Sequence, residues 1–414
     1  MSGGEDYFDA LETRDPERRE RELFARLPGH IAHAKAAAPY FAEILAEVDP
    51  AAVTDRAALA GLPVTRKSGL IERQKTQLPF GGLAATATGA LSRIFCSPGP
   101  IYDPEGRRPN FWRSARALYA AGFRAGDVIH NSFSYHLSPG GAIMESGAHA
   151  VGCAVIPAGV GNTEQQIQVI ADVRPHGYCG TPSFLKILLT KGREAGLDLS
   201  SLEKALVSGE ALPASLRAEI AGHGIAALQC YAIGDIGLVA YESAAQQGMI
   251  VDEEIIVEIV TPGTGDPVAG DEVGEVLVTT LAPEYPLIRF ATGDLSAVLP
   301  GASPCGRTNM RLKGWLGRAD QTTKIKGMFV HPQQVAAVLA RHPEVGKARL
   351  VVDRVENVDV MTLYCEVAGK PPGLAAALAE SLQAVCKLKG RVEFARVGGL
   401  ANDGKVIDDV RKLD

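Results

Sequence analysis

Residues 177–213, GYCGTPSFLKILLTKGREAGLDLSSLEKALVSGEALP, contain two short apolar runs, GYCG and KALV, separated by a helix-like stretch. Each run stops at small or polar residues, and the stretch between them is long enough for a helix that crosses over a sheet. A strand, a crossover helix and a second strand are typical of a parallel β-sheet. We therefore predict an α/β fold whose functional residues lie at the carboxyl ends of its strands.

The same alternation covers residues 110–245. Three more apolar runs occur there, GDVIHNSF (126–133), GCAVIPAG (152–159) and IAALQCYA (225–232). Short apolar runs that are followed by turn-forming residues and separated by helical patterns are typical of buried strands in a parallel sheet. The core of the chain is therefore predicted to contain one such sheet.

Changes in periodicity predict a large N-terminal α/β domain, residues 1–317, and a small mobile α+β domain, residues 318–414. The first residues have helical spacing, with breaks predicted at Pro28 and Pro39. After residue 250 the pattern has a period of two, which indicates antiparallel strands. We divide the large domain into a helical N-terminal segment, an α/β core and a β-rich subdomain, which cover residues 1–75, 76–249 and 250–317.

Composition excludes several classes of protein. The 414 residues carry a formal net charge of −6, and lysines and arginines are scattered, so we expect no nucleic-acid binding. No apolar run approaches the roughly 20 residues that span a bilayer, and the N-terminus is charged, so we expect a cytoplasmic protein without a membrane segment. Seven cysteines without a Cys-x-x-Cys pair indicate reduced thiols rather than disulfides or a zinc site.

Five short stretches contain most of the residues suited to chemistry: VSGEALP (207–213), QCYAIGDIG (229–237), YPLIRFATGDL (285–295), GWLGRADQTTKIKGMFVHP (314–332) and GGLANDGKVIDDVRK (398–412). Tyr231 can stack on a base, Asp235 can hold a cation, and Asp294 can accept both hydroxyls of a ribose. Each stretch also has an ordinary explanation, such as a capped turn, an Arg289–Asp294 ion pair that closes a hairpin, or a solvated lysine at Lys405.

Taken together and in this order, the stretches resemble the adenylate-forming superfamily, and most closely its phenylacetate-CoA ligase branch. The likeness also includes LPVTRKSGL (62–70), GGAIMESGAHAVGCAVIPAGVGNTEQQIQVI (140–170) and GTPSFLK (180–186), so it covers nearly the whole chain. Each motif is weak alone, but an ordered set of them is specific. The resemblance implies a large α/β domain followed by a small mobile domain.

The resemblance implies a nucleotide site formed by Ser208, Gly209, Glu210, Tyr231, Asp294 and Arg318. In that family the residues matching Ser208 to Glu210 line the adenine and acyl pockets, and the one matching Tyr231 stacks on adenine. Asp294 corresponds to the ribose-binding aspartate, with Arg318 as its basic neighbour. Asp235 corresponds to the acidic residue that holds Mg²⁺.

The resemblance also implies residues for catalysis in the C-terminal domain. Lys405 matches the catalytic lysine of the first half-reaction, and Asp320 matches the hinge. Lys326 and Gly327 lie where the pantetheine of coenzyme A passes. The implied chemistry has two steps. A carboxylate attacks the α-phosphate of ATP and expels pyrophosphate, and a thiol then attacks the mixed anhydride and releases AMP, while the small domain rotates about Asp320 between the steps.

The stretch FCSPGPIYDPEG (95–106) departs from the family, which has a Ser/Thr/Gly-rich loop with a lysine that wraps the β- and γ-phosphates. Only Ser97 and Gly99 remain as weak candidates for a phosphate loop, and three prolines remove backbone donors. Three interpretations stay open. In the first, Ser97, Gly99 and Mg²⁺ suffice to hold pyrophosphate less tightly, with Arg107 or Arg108 as compensating cations. In the second, the segment is a rigid wall of the site. In the third, the protein binds nucleotide without turning it over. Gly234 is a second departure, because a hydroxyl residue commonly precedes the acidic one.

For the acid, the resemblance indicates FSYHLSPGG (133–141) and the residues after Tyr231. The substrate pocket is predicted to contain Tyr135, His136, Ser138, Ala232 and Ile233. His136 and Ser138 are polar, and polar groups in an apolar pocket require hydrogen-bonding partners on the ligand. We therefore predict an aryl acid, such as a hydroxy- or amino-substituted benzoate, unless His136 only satisfies a backbone group.

The prediction is therefore an AMP-forming aryl-CoA ligase that uses ATP, Mg²⁺ and coenzyme A, with a homodimer expected from the resemblance. Two alternatives remain. The acyl adenylate is passed to a carrier protein, an amine or a hydroxyl, or the chain is a catalytically weak nucleotide-binding scaffold.

Overall fold

The computed structural model describes residues 6–97, 100–319, 323–326, 328–330, 332–355, 358–369, 371–401 and 405–411. The chain divides into two compact units, Met1–Leu316 and Gly317–Asp414. Among the described residues, no helix combines the length and the apolar character needed to cross a membrane. All seven cysteines are free thiols.

The elements follow in chain order. The α-helices are α1 (Pro16–Ala37), α2 (Pro39–Ile44), α3 (Arg56–Ala60), α4 (Leu70–Thr76), α5 (Ala115–Ala120), α6 (Gly140–Val151), α7 (Thr163–Val173), α8 (Pro182–Glu194), α9 (Ala214–Ala221), α10 (Pro332–Leu339) and α11 (Leu374–Cys386). Short 3₁₀ turns cover Ala10–Thr13, Pro50–Ala52, Lys67–Gly69 and Thr88–Ala90.

The strands of the first unit are β1 (Thr65–Arg66), β2 (Arg93–Ser97), β3 (Ile101–Glu105), β4 (Val128–Asn131), β5 (Ala154–Ile156), β6 (Gly177–Gly180), β7 (Lys204–Val207), β8 (Ala226–Ile233), β9 (Gly237–Tyr241), β10 (Met249–Val251), β11 (Ile255–Val260), β12 (Gly274–Thr280), β13 (Phe290–Ser296), β14 (Val298–Leu299) and β15 (Arg311–Leu312). Those of the second unit are β16 (Gly317–Arg318), β17 (Thr323–Ile325), β18 (Met328–Val330), β19 (Val345–Val355), β20 (Val358–Val367), β21 (Arg391–Ala395) and β22 (Ile407–Asp409).

The largest sheet has the strand order β14-β15-β10-β9-β8-β7-β6-β4-β5. Strands β5, β4, β6, β7 and β8 are parallel neighbours, as the apolar runs predict, and the α/β fold class is confirmed. The long strand β8 changes partner geometry along its length. Its first half pairs with β7 in parallel and its second half pairs with β9 antiparallel, so Tyr231 lies where the sheet changes from parallel to antiparallel.

The β-rich region after residue 250 supplies two sheets rather than one. Strands β11, β12 and β13 form the predicted antiparallel set, with β1 parallel to β13. Strands β10, β14 and β15 instead extend the large sheet beyond β9. A period of two predicts strands but does not tell which sheet they join, because partner choice depends on tertiary packing.

The predicted helix break at Pro28 is wrong, whereas the break at Pro39 occurs. Helix α1 continues through Pro28, and Pro39 begins α2. An internal proline removes a hydrogen bond and crowds the preceding turn, so a helix that keeps one needs compensation from packing. Leu27 and Ile31, on either side of Pro28, are fully buried in a core shared with α2 and β11, and this burial holds the helix together.

The second unit is a small α+β fold. Strands β19 and β20 form a long antiparallel pair, with β22 parallel to β19 and β21 parallel to β20. Helices α10 and α11 contribute Val335, Leu378 and Leu382 to its own core with the buried face of the sheet.

Candidate active site

Tyr231, on β8 of the large sheet, and Asp294, on β13 of the neighbouring antiparallel sheet, are held together by a hydrogen bond. The hydroxyl of Tyr231 donates to Oδ2 of Asp294 at 2.8 Å, and Nε1 of Trp315 donates to Oδ1 at 3.0 Å. The backbone N–H of Asp294 also donates to Oγ1 of Thr292. These two side-chain donors, one at each oxygen, fix the orientation of the Asp294 carboxylate.

The open alternative of an Arg289–Asp294 pair is wrong. Arg289 is almost fully buried and pairs with Glu258 at 3.1 Å, while its guanidinium also donates to the carbonyls of Ala60, Leu62 and Gly265. Because its donors are used in this way, Arg289 ties the N-terminal segment to the β-rich region.

Asp235 belongs to a buried polar cluster that also contains Lys67, Asp103 and Ser97. Nζ of Lys67 donates to Oδ2 of Asp235, and Oγ of Ser97 donates to Oδ2 of Asp103. Burial and the charge of Asp235 raise the pKa of Asp103 well above its usual range, while Lys67 and Ser97 oppose this shift. Oδ1 of each carboxyl group is buried without a hydrogen-bond partner in the described part of the chain.

Asp103 enters this cluster because the atypical segment forms a β-hairpin. Strands β2 and β3 pair antiparallel from Arg93↔Glu105 to Ser97↔Ile101, so only residues 98–100 connect them. The amide side chain of Gln74 both donates to and accepts from the backbone of Tyr102, which fixes the hairpin against α4. The predicted weak phosphate-loop residue Gly99 lies outside the described residues.

The arginines after the hairpin have other partners. Nε of Arg107 donates to the carbonyl of Ala90, and Arg108 lies 3.7 Å from Glu284. Lys67 is instead the cation that faces the acidic cluster.

Gly234 is a glycine because the hairpin approaches it closely. A Cβ at this position would lie 3.1 Å from Oγ of Ser97, 3.2 Å from Cγ of Pro139 and 3.6 Å from Oδ2 of Asp103. The hydroxyl of Ser97 therefore occupies the space beside residue 234.

Tyr135 is held in the loop after β4. Nδ2 of Asn131 donates to its hydroxyl at 2.8 Å and to the carbonyl of Gly141 at 2.9 Å. A Cβ at Gly141 would lie 2.8 Å from the Tyr135 ring, so the ring packs directly on the first turn of α6. Burial raises the pKa of the Tyr135 phenol, which stays neutral.

The other predicted pocket residues differ in exposure. His136 is exposed, and its ring makes no hydrogen bond within the described residues, whereas its N–H donates to Oγ of Ser134. Ser138, Ala232 and Ile233 are half-buried.

Ser208, Gly209 and Glu210 follow β7. Oγ of Ser208 donates to the carbonyl of Cys230 at 2.7 Å, which links the end of β7 to the middle of β8. Gly209 has φ +79°, a conformation that favours glycine, and Glu210 is exposed. Ser208 is therefore tied to β8 at the residue before Tyr231.

The predicted residues of the second unit are described in part. Nζ of Lys405 donates to Oδ1 of Asp408 at 2.8 Å, and its side chain is half exposed. The exposed Lys326 donates its backbone N–H to Oδ2 of Asp359. Asp320, Gly327 and the side chain of Arg318 lie outside the described part of the structure.

Comparison with known proteins identifies the family. Residues 110–282 match the family described as AMP-binding enzyme. The phenylacetate-coenzyme A ligase of Thermus thermophilus is 33% identical over 379 residues, which are 87% of this chain and 84% of that protein. This chain belongs to the phenylacetate-CoA ligase family. The phenylacetate-coenzyme A ligase of Aromatoleum evansii is 30% identical over 86% of this chain and 85% of its own.

The fold of this family member also matches a solved ligase. A crystal structure of 2-hydroxyisobutyryl-CoA ligase with 2-HIB-AMP and CoA has a TM-score of 0.81 at 23% identity, over 99% of this chain and 94% of that one. The predicted resemblance is confirmed, and with it the prediction of an AMP-forming CoA ligase that uses ATP, coenzyme A and a small carboxylic acid.

Sequence reasoning missed four side chains that surround the predicted ones in this ligase: Lys67, Asp103, Asn131 and Trp315. Lys67 lies within the LPVTRKSGL stretch that supports the resemblance, and Trp315 precedes the RAD triplet by three residues. The position of Lys67 and Trp315 in these stretches of the resemblance could have marked them as site residues. Asp103 lacked one, because the segment around it departs from the family.

Proposed function

We propose that this ligase activates an aryl carboxylic acid. The acid's carboxylate attacks the α-phosphate of ATP, which gives the aryl adenylate and pyrophosphate. The thiol of coenzyme A then attacks the acyl carbon and gives aryl-CoA, AMP and a proton. The observation that carries the aryl assignment is the Tyr135 ring, which Asn131 fixes against Gly141 at the carboxyl end of β4. An aromatic wall of this kind favours a flat ring as its ligand.

Tyr231 and Asp294 are proposed to hold the nucleoside. Tyr231 and Trp315 each donate to one oxygen of Asp294, and a carboxylate oriented in this way favours a fixed acceptor for the two ribose hydroxyls. The Tyr231 ring is proposed to stack on adenine, next to the turn of Ser208, Gly209 and Glu210.

Asp235 is proposed to hold Mg²⁺, and the residues around it fit this ion. Mg²⁺ takes oxygen ligands and is usually held by one or two carboxylates together with nucleotide phosphates. Oδ1 of Asp235 is a buried carboxylate oxygen without a hydrogen-bond partner in the described chain. The described residues contain no group of three or more acidic, histidine or cysteine side chains for an all-protein site. When bound, the ion neutralises phosphate charge during adenylation.

The ammonium groups are proposed to supply the remaining positive charge. The side chain of Lys405 is half exposed and pairs with Asp408, three residues further along the chain, so its ammonium is accessible to a ligand. Phosphoryl transfer depends mainly on positioning and charge neutralisation. Arg318, Asp320, Lys326 and Gly327 keep their proposed roles at the ribose, the hinge and the pantetheine path.

A polar substituent on the aryl acid is the finer proposal. The exposed ring of His136 makes no hydrogen bond to a backbone group among the described residues, so it is accessible to a substituent of the ligand. Ser138 is half-buried and lies next to it in the loop. A hydroxy- or amino-substituted benzoate would supply that partner.

The test is pyrophosphate release with ATP and Mg²⁺ over a panel of phenylacetate, benzoate, hydroxy- and aminobenzoates and an aliphatic hydroxy acid, with and without CoA. We expect release with a substituted benzoate and faster AMP formation with CoA. Lys405→Ala should lower adenylation by 10²-fold or more, on the order of one lost transition-state contact. Lys191→Ala is the control, because Lys191 forms the same exposed i,i+3 pair with Glu194.

Three outcomes would contradict the proposal. Faster turnover of the aliphatic acid would remove the aryl assignment, and equal rates for benzoate and its substituted forms would remove the role of His136. No pyrophosphate release with any acid would favour the nucleotide-binding scaffold. The homodimer and the cytoplasmic location stay predictions, which light scattering and cell fractionation would check.

A further inference from the structure

The acidic cluster contains more buried oxygen than its hydrogen bonds use. Asp103 is fully buried on β3, and Asp235 is 2% exposed in the turn after β8. Each carboxyl group receives one hydrogen bond at Oδ2, from Ser97 and Lys67 respectively. Each Oδ1, and the hydroxyl of the neighbouring Tyr285, is buried without a partner in the described part of the chain.

These unpartnered oxygens belong to one cluster. A Cβ at Gly234, the residue before Asp235, would lie 3.6 Å from Oδ2 of Asp103, so the two acidic residues are neighbours. Burial, and then the charges of Asp103 and Asp235, raise the pKa of the Tyr285 phenol beside them. Lys67 supplies one positive charge for two carboxylates. Within the described chain, the two buried carboxyl groups beside this one ammonium leave both Oδ1 atoms without a hydrogen-bond partner.

Both departures from the family converge on this place. The hairpin replaces a phosphate loop and carries Asp103 inward, while Gly234 lets Ser97 and Asp103 approach to 3.1 and 3.6 Å of where a Cβ would lie. The two substitutions therefore act together. The hairpin loses backbone donors and a lysine, and it gains a carboxylate beside Asp235.

We propose that Asp103 is a second carboxylate ligand for the divalent cation, so that Asp103 and Asp235 hold the ion together from the hairpin and from the end of β8. This inference rests on the proposed function, which assigns the ion to Asp235 alone. Two carboxylates and nucleotide phosphates are a ligand set that suits Mg²⁺ and Mn²⁺. The hairpin thus helps to hold the ion that neutralises the phosphates, whereas the family's loop contacts the phosphates directly.

The test measures Mn²⁺ binding by electron paramagnetic resonance of the free ion, with the full chain and an α,β-methylene analogue of ATP. Asp103→Asn and Asp235→Asn should each weaken Mn²⁺ affinity by 10-fold or more. Glu105→Gln is the matched control, since Glu105 is equally buried on the same strand but both its oxygens accept from Arg93. Its affinity should change less than twofold.

Unchanged Mn²⁺ affinity in Asp103→Asn, with loss in Asp235→Asn, would overturn the inference and leave the proposed function intact. The result would mean that a proton shared by the two carboxyl groups satisfies them. The analogue cannot release pyrophosphate, so this assay measures ion binding independently of catalysis. A chain that binds Mn²⁺ as expected but never turns over ATP with any acid would contradict the proposed function alone.

A second measurement needs no variant, in case Asp103→Asn does not fold. Fe²⁺ with ascorbate and peroxide cleaves the backbone near a bound ion, and mass spectrometry locates the cuts in the wild-type chain. Cuts in both residues 101–105 and the turn around Asp235 are expected. Cleavage near Asp235 without cleavage in the hairpin would overturn the shared site. Cleavage at neither place would overturn it as well.

Discussion

The hydroxyl of Tyr231 donates to Oδ2 of Asp294 at 2.8 Å, across 63 residues of sequence. Hydrogen bonds to charged groups contribute about 1.5–3 kcal/mol. Tyr231→Phe keeps the ring and removes this bond, while Trp315 still holds Oδ1. We therefore expect the KM for ATP to rise about tenfold, at the lower end of that range, with little change in the KM for the acid.

The control for this change is Tyr241→Phe. The Tyr241 hydroxyl donates to Oε1 of Glu12 at 2.8 Å, so the variant removes a bond of the same kind and length elsewhere in the first unit. It should lower the melting temperature and leave the KM for ATP unchanged. Equal KM values in Tyr231→Phe and the wild type would show that Asp294 needs no help from Tyr231.

Gly141→Ala should disturb acid binding selectively. Its Cβ would lie 2.8 Å from the Tyr135 ring, closer than real Cβ contacts allow, so the ring must move and strain its bond to Asn131. The KM for the acid should rise about tenfold, on the order of one to two kcal/mol of overpacking, with the KM for ATP within twofold. Steady-state kinetics with either substrate varied would measure both.

Gly140→Ala is the matched control for that variant. It lies one residue earlier on the same helix, and its Cβ would meet Phe133 at 3.5 Å, which is ordinary contact. Its kinetics should match the wild type. A parallel rise in both variants would mean that the helix start, and not Tyr135, sets acid binding.

The sequence predicts the parts of this structure that depend on local pattern. The runs GYCG and KALV are continuous and apolar because β6 and β7 are covered on both faces, and that burial is visible in composition. Tyr231 and Asp294 were found through ordered motifs. Their mutual hydrogen bond was not, because nothing in either motif encodes a contact across two sheets.

The hairpin could not be predicted for a physical reason. Three prolines suggest a loop, but β2 and β3 form a two-stranded sheet. Because β3 pairs with β2 alone in this sheet, the missing N–H of Pro104 costs no hydrogen bond to another strand. Lys67 and Asp235 are 168 residues apart, so their pairing depends on how the N-terminal segment docks. Pro28 misled in the same way, since the packing of α1 outweighs a local helix-breaking preference.

His30 makes the first unit sensitive to acid. Burial, with the nearby charges of His33 and Arg26, lowers the pKa of His30 from 6.5 to about 4. The unfolded chain therefore binds the proton first. Stability is complete above pH 6.5 and falls as the pH drops toward 4, by about 3 kcal/mol over that window from this group.

His30→Gln should remove that part of the pH dependence. Urea unfolding can be followed by tryptophan fluorescence, since Trp112 and Trp315, the two tryptophans of the chain, both lie in the first unit. The drop in unfolding free energy between pH 7 and pH 4.5 should be smaller by about 2 kcal/mol in the variant. His223→Gln, an exposed change elsewhere in the first unit, should keep the wild-type slope. A wild-type slope in His30→Gln would assign the acid sensitivity to other groups.

Gly234→Ala tests whether the hairpin and the turn before Asp235 are fitted to each other. The added Cβ would lie 3.1 Å from Oγ of Ser97, so the neighbours must give way by a few tenths of an ångström. We expect a loss of about 1–2 kcal/mol in stability. Gly89→Ala, where a Cβ meets nothing within 4 Å, should be neutral.

The double variant Ser97→Ala with Gly234→Ala shows which neighbour clashes with the Cβ added at residue 234. Ser97→Ala alone should destabilise, because it leaves Oδ2 of the buried Asp103 without its donor. Once Oγ is gone, the Cβ at residue 234 has room on that side, so the double variant should be about 1 kcal/mol more stable than the sum of the two losses. Thermal unfolding of the four chains measures this coupling. Strict additivity would assign the clash to Pro139 and would mean that Ser97 does not require a glycine at position 234.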